Sequence, residues 1–154
     1  MSVLFNSPTG RSVIQQYPNS AISSNSFAFT VALKKVGSYS SEWNNWFTLL
    51  NEGASAVTYF GTKDSDETTP VIGMNFGAVE STFVAEDSEV FTFGSGWFWL
   101  GVTGYNDAGT NRLRGYIYNG SKLYVASLVQ PAVQVFDTWF VGGDFSHPSV
   151  WQIN

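Results

Sequence analysis

The residues able to do chemistry are few, and they fall in short clusters. Carboxylates gather in Asp64-Ser65-Asp66-Glu67 and in Glu86-Asp87-Ser88-Glu89. A glycan hydrolase needs two carboxyl groups about 5–9 Å apart, one as acid and one as nucleophile or base. Successive strand side chains face opposite ways, so Glu86 and Glu89 would diverge. With Val84-Ala85 before it and Val90-Phe91 after it, the second string reads as a solvated turn. Asp64 and Asp66 share a side, but in a Thr-rich loop. His147 precedes Pro148 with no nucleophile motif around it, and it reads as a surface histidine. No catalytic residue is expected, and the chain is read as a non-enzyme.

Metal chemistry is equally constrained. Without cysteine and with a single histidine, no thiolate or multi-histidine site can form. Hard cations want six to eight oxygens, which Asp64, Asp66 and Glu67, or Asn106 with Asp107, could only begin to supply. EF-hand spacing is absent. The expectation is no cofactor, calcium being the one cation these loops could hold.

Aromatic residues offer more. A sugar's C–H face packs on a flat ring while Asn, Asp and Arg take its hydroxyls. Trp43-Asn44-Asn45-Trp46, with Tyr39 nearby, has those ingredients. A second array alternates as Arg112, Arg114, Tyr116 and Tyr118, which Trp97 and Trp99 could join from the neighbouring strand. The ligand-binding expectation is a platform of Trp43, Trp46, Tyr116 and Tyr118 with Arg114 as polar clamp. The competing reading is that the large rings are core and the Tyr-Arg stripe merely covers a sheet. Protein interfaces also favour Tyr, Trp, Phe and Arg over Lys, and only Lys34, Lys35, Lys63 and Lys122 occur.

These groups must be positioned by strands. No segment keeps a helical period with caps. Phe27, Phe29, Val31 and Leu33 alternate on one face, and Trp46 to Leu50 is apolar on both faces, as in an inner strand. Val71 to Phe76 and Glu89 to Phe93 read as further strands. Trp97 to Thr103 puts Phe98, Leu100 and Val102 on one side and the tryptophans on the other. Tyr105 to Asn111 is turn chemistry, and Asn119-Gly120 signals a hairpin between Arg112–Tyr118 and Leu123–Val129. Thr138 to Val141 and the stretch from Ser149 complete about eight to ten strands. The expected fold is all-β, an antiparallel β-sandwich of jelly-roll type, in one domain spanning 1–154.

Composition excludes other classes. Only 12% of residues are charged while 44% are hydrophobic, the reverse of a disordered chain. The net charge of −5 argues against nucleic acid and anionic membrane as partners, since both call for a clustered basic surface. Apolar runs fall far short of the roughly 20 residues of a membrane span. Residues 1–8 lack a basic n-region and a long apolar stretch, so no secretory signal is expected.

Gly96-Trp97-Phe98-Trp99-Leu100-Gly101-Val102-Thr103, a turn, and Leu113-Arg114-Gly115-Tyr116-Ile117-Tyr118-Asn119-Gly120 together resemble the concanavalin A-like lectin and laminin-G sandwiches. Those domains carry a tryptophan-led strand ending in Val-Thr and a strand ending in Tyr-Val-Asn-Gly, against which this chain has one extra residue. Phe27 to Leu33 and Val141-Gly142-Gly143 resemble an early and a late strand of the same family. The resemblance implies a lectin-like sandwich working outside cells or on particle surfaces. Family members usually continue past Trp151-Gln152-Ile153-Asn154 with a strand that closes the sheet, so an open edge inviting another chain is one expectation. The other is that the N-terminal segment covers that edge. Taken with the missing export signal, these features lead to a virion-surface structural protein: a decoration, cement or appendage protein. It would be a homo-oligomer that binds other virion or surface proteins and reaches host glycans. The alternative is a stand-alone carbohydrate-binding lectin domain, with a glycoside hydrolase third and disfavoured.

Overall fold

Period-two alternation with turn residues between short apolar runs yields strands and nothing else: no helix occurs among the described residues. The structure, a computed structural model, describes residues 3–4, 14–16, 22–35, 43–51, 56–63, 68–74, 79–141 and 151–153. Strands are numbered along the chain. The first six-stranded sheet runs β1 (Val3–Leu4), β14 (Trp151–Ile153), β4 (Phe27–Lys35), β9 (Trp97–Asp107), β10 (Thr110–Tyr118) and β11 (Leu123–Val129). The second six-stranded sheet runs β2 (Ile14–Gln16), β13 (Thr138–Val141), β5 (Trp43–Asn51), β6 (Ala56–Lys63), β7 (Pro70–Met74) and β8 (Val79–Thr82). A short ribbon joins β3 (Ile22–Ser23) to β12 (Val135–Phe136). The antiparallel sheets pack face to face as a β-sandwich, as the alternation predicts.

The inner face of each sheet supplies the core. Leu33, Phe98, Leu100, Val102, Leu113 and Ile117 from the first sheet meet Phe60, Ile72 and Met74 from the second. Phe29 crosses the gap, its ring 4.0 Å from Phe47 and 5.9 Å from Phe60. Phe83 enters between the sheets, fully buried, and its ring fills the space where a side chain at position 115 would stand.

Several expectations need correction. The described residues contain fourteen strands, more than the pattern suggests. β6 goes unread because Tyr59 and Phe60 are both buried, which hides any alternation. Glu89 to Phe93 forms no ladder strand: Val90 makes a single bridge to Val84. Phe91 donates its N–H to Phe83 O and Phe93 to Thr68 O, so the segment crosses between strands. The 105–111 turn is shorter than expected, for β9 and β10 pair up to Asp107 and Thr110 around Ala108 and Gly109, both at positive φ. The expected open edge beside Trp151–Ile153 is closed, because β14 lies between β4 and β1. At the opposite side Val84 exchanges both backbone hydrogen bonds with Val125, at 3.0 and 2.9 Å, covering part of the β11 edge.

One end of the sandwich is closed by polar contacts. Gln130 Nε2 donates to Ser24 O and to Arg112 O, each at 2.8 Å. Ser24 N donates to Gln134 O, and Gln134 N donates back to Ser24 Oγ. This arrangement needs Gly104, where a Cβ would lie 2.0 Å from Ser24 O and 2.5 Å from the Phe27 ring. Gly104→Ala is therefore expected to cost about 1–3 kcal/mol, as overpacking against backbone does. Urea denaturation checks this, and an unchanged midpoint would contradict it.

Candidate ligand-binding face

β9 and β10 build the face from alternating positions. Along β9, Phe98, Leu100, Val102 and Gly104 are buried, while Trp97, Trp99, Gly101, Thr103 and Tyr105 look outward. Along β10, Leu113, Gly115 and Ile117 are buried, while Arg112, Arg114, Tyr116 and Tyr118 look outward. Register then sets the rows. Ala32, Trp99, Tyr118 and Leu123 stand side by side across β4, β9, β10 and β11. Thr30, Gly101, Tyr116 and Val125 form the next row, followed by Ala28, Thr103, Arg114 and Ser127. Lys34 lies opposite Trp97.

This face is open. Trp97 is 40% exposed, Trp99 57%, Tyr118 44% and Leu123 50%. These large exposed side chains are contiguous, the kind of feature from which interaction surfaces are built. The outer face of the second sheet differs: Thr48, Tyr59 and Val71 are all buried there. Tyr59 lies over Gly73, whose Cβ would be 2.2 Å from the ring, and donates its hydroxyl to Glu80.

Charge on the open face is positive although the chain is acidic. Arg112 pairs with Asp107 at 3.0 Å. Arg114 holds its guanidinium carbon 5.7 Å from the Tyr105 ring centroid, a cation–π contact. Its Nε is buried with no acceptor, and no carboxylate pairs with Arg114 or Lys34 among the described residues. The Tyr116 side chain beside it raises the guanidinium pKa further, so Arg114 is a permanent cation.

Of the expected platform, the structure brings Arg114, Tyr116 and Tyr118 together on β10. Trp43 and Trp46 do not join them, since β5 belongs to the second sheet. The joint platform of the lectin reading thus draws its residues from strands of two different sheets. Trp46 occupies the extra position of a β-bulge between Asn45 and Phe47, and the side chains of Trp43 and Trp46 lie outside the described residues. So do Tyr39, Asp64, Asp66, Glu67, Gly142, Gly143 and His147. Trp97 and Trp99 stand on the same face beside this array, as the sequence allowed, and Gly101 and Thr30, which were not among the expected site residues, complete it. The signal for the tryptophans is their parity: a strand burying Phe98 and Leu100 must turn Trp97 and Trp99 away.

The row ending at Leu123 opens on a cleft of about 450 Å3 lined by Ala85, Glu86, Asp87, Ser121, Lys122 and Leu123. Here the Glu86-to-Glu89 string is the turn expected, with Ala85 N bonded to Glu89 O and Ser88 at φ 69°. Asn119 Oδ1 holds the opposite hairpin by accepting from Ser121 N and Lys122 N. Lys122 Nζ donates to Asp87 at 2.8 Å and also to Glu89, and Tyr124 gives its hydroxyl to Glu89 at 2.7 Å. The Lys122 hydrogen bond is the chief cause holding both carboxyls below their usual range, and the two carboxylates raise Lys122 in turn. No group of three or more metal-ligating side chains occurs among the described residues. Compared with known proteins, the chain matches no family model and no curated protein.

A depressed carboxyl pKa contributes stability above its unfolded value, here near 3.8 and 4.5, that is lost as pH falls through the folded value. In Lys122→Met the Asp87 and Glu89 titrations should move up toward those ordinary values. Carboxyl-carbon NMR titration reads this directly, and midpoints unmoved by the substitution would contradict the clamp.

Proposed function

We propose that this chain is a non-enzymatic β-sandwich module of a virion or other extracellular particle surface, a decoration, cement or appendage component. It attaches to itself and to neighbouring proteins through the outer face of its first sheet. The observation that carries this reading is the contiguous exposure of Trp97, Trp99, Tyr118 and Leu123. Burying such rings against a partner is worth roughly 25 cal/mol per Å2 of apolar area removed from water. A low-charge chain with 17% aromatic residues suits a rigid component packed among others. The two six-stranded sheets and the paired strands from Trp97 to Tyr118 support the concanavalin A-like resemblance on which the particle-surface reading partly rests.

The state of Asp87 and Glu89, the carboxylates of the described cleft held by Lys122, is consistent with a non-enzymatic role for that cleft. A glycosidase keeps one carboxyl protonated by raising its pKa. Asp87 and Glu89 are both shifted the opposite way and both committed to Lys122. A second reading, a carbohydrate-binding lectin domain, is favoured by the more polar row through Thr30, Gly101 and Tyr116 beside the apolar one.

Static light scattering on the purified chain tests the assembly. A stable oligomer is expected, with Trp97→Ala plus Leu123→Ser reducing the particle mass while the far-ultraviolet circular dichroism stays unchanged. A wild-type monomer, or an oligomer indifferent to those substitutions, would overturn attachment through this row.

A further inference from the structure

The hairpin between β10 and β11 holds Asn119 in an unusual way for an exposed side chain. Its Oδ1 accepts from three donors: Ser121 N at 3.1 Å, Ser121 Oγ at 2.9 Å and Lys122 N at 2.9 Å. Its Nδ2 has no partner among the described residues, and neither has the N–H of Gly120. Gly120 stands at φ 95°, with nothing within 4 Å of the place where a Cβ would lie. The backbone nitrogen that follows Asn119 is therefore unpaired, unhindered and open to solvent.

We infer that Asn119 is a self-modifying site, at which the folded hairpin promotes loss of the side-chain amide to give aspartate and isoaspartate. Hydroxide removes the Gly120 amide proton, and the Gly120 nitrogen bonds to Asn119 Cγ, a neighbour within the same chain. The Cγ–Nδ2 bond then breaks, and Nδ2 leaves as ammonia with a proton taken from water, which returns the hydroxide. A second water opens the resulting succinimide at either carbonyl, giving Asp or isoaspartate. Between the bond-forming and bond-breaking steps Oδ1 carries negative charge. The three donors already aimed at that atom stabilise it as the donors of an oxyanion hole do.

The other asparagines with described side chains lack this combination. Nδ2 of Asn25, Asn51 and Asn106 is held by a hydrogen bond. Asn111 Oδ1 accepts from two donors, but the next nitrogen belongs to Arg112, inside a strand paired on both sides. The consequence at Asn119 reaches the open face. Tyr118 donates its hydroxyl to Gly120 O at 2.8 Å and pairs with Leu123 across the loop, so the extra backbone carbon of isoaspartate displaces the carbonyl that Tyr118 holds.

This chemistry stands apart from attachment, since a monomer would age in the same way. The test is incubation of the full chain at mildly alkaline pH, folded and in urea, with peptide mass mapping and enzymatic labelling of isoaspartate. The folded chain should convert Asn119 before Asn25, Asn51, Asn106 or Asn111, and faster than the chain in urea, where the three donors are dispersed. Ser121→Ala should slow the folded reaction by roughly threefold to tenfold, the net worth of one hydrogen bond, and leave the rate in urea unchanged. A folded rate below the urea rate, or a folded rate indifferent to Ser121→Ala, would overturn the inference.

Discussion

The alternation along β9 is the constraint on which the rest of the molecule depends. This strand pairs with β4 on one side and β10 on the other, so its register sets theirs. A slip by one residue would send Trp97 and Trp99 inward and turn Phe98, Leu100 and Val102 to solvent. Glycines make the slip costlier still. Gly104 must face the Ser24 carbonyl, and Gly115, paired with Val102, must face the Phe83 ring. A larger residue at either place would force a shift of its neighbours, so the register carries its own check.

From that register the two outer faces become unequal. On the second sheet Thr48, Tyr59 and Val71 are buried, with Tyr59 lying across Gly73 and tied to Glu80. The first sheet keeps large rings in the open, with Arg114 and Lys34 on the same face. Elsewhere Lys122 pairs with both Asp87 and Glu89 of the acidic turn, which keeps a net negative charge beside the cleft beyond Leu123.

Much of this was legible in the sequence, and what was not has physical reasons. Alternation at Phe27 to Leu33, Trp97 to Thr103 and Arg112 to Tyr118 showed which sides form the core, and Asn119-Gly120 marked its hairpin. β6 escaped because both its faces are buried, and β3 and β12 because two-residue strands exist only through their pairing. Glu89 to Phe93 has strand composition but divides its donors between Phe83 and Thr68, a tertiary arrangement that no local pattern reports. The platform was half legible. Tyr116, Tyr118 and Arg114 share a strand and hence a face, whereas grouping them with Trp43 and Trp46 required knowing which sheet β5 joins.

Hydroxyl-radical footprinting of the chain, at a dilution where it is a single particle, tests most directly whether the outer face of the first sheet is the open one. Trp97, Trp99 and Tyr118 should be oxidised rapidly, and Tyr59 and Phe98 should be protected. Protection of the two tryptophans to the level of Phe98, with Tyr59 reactive instead, would contradict the assignment of faces and with it the proposed binding surface.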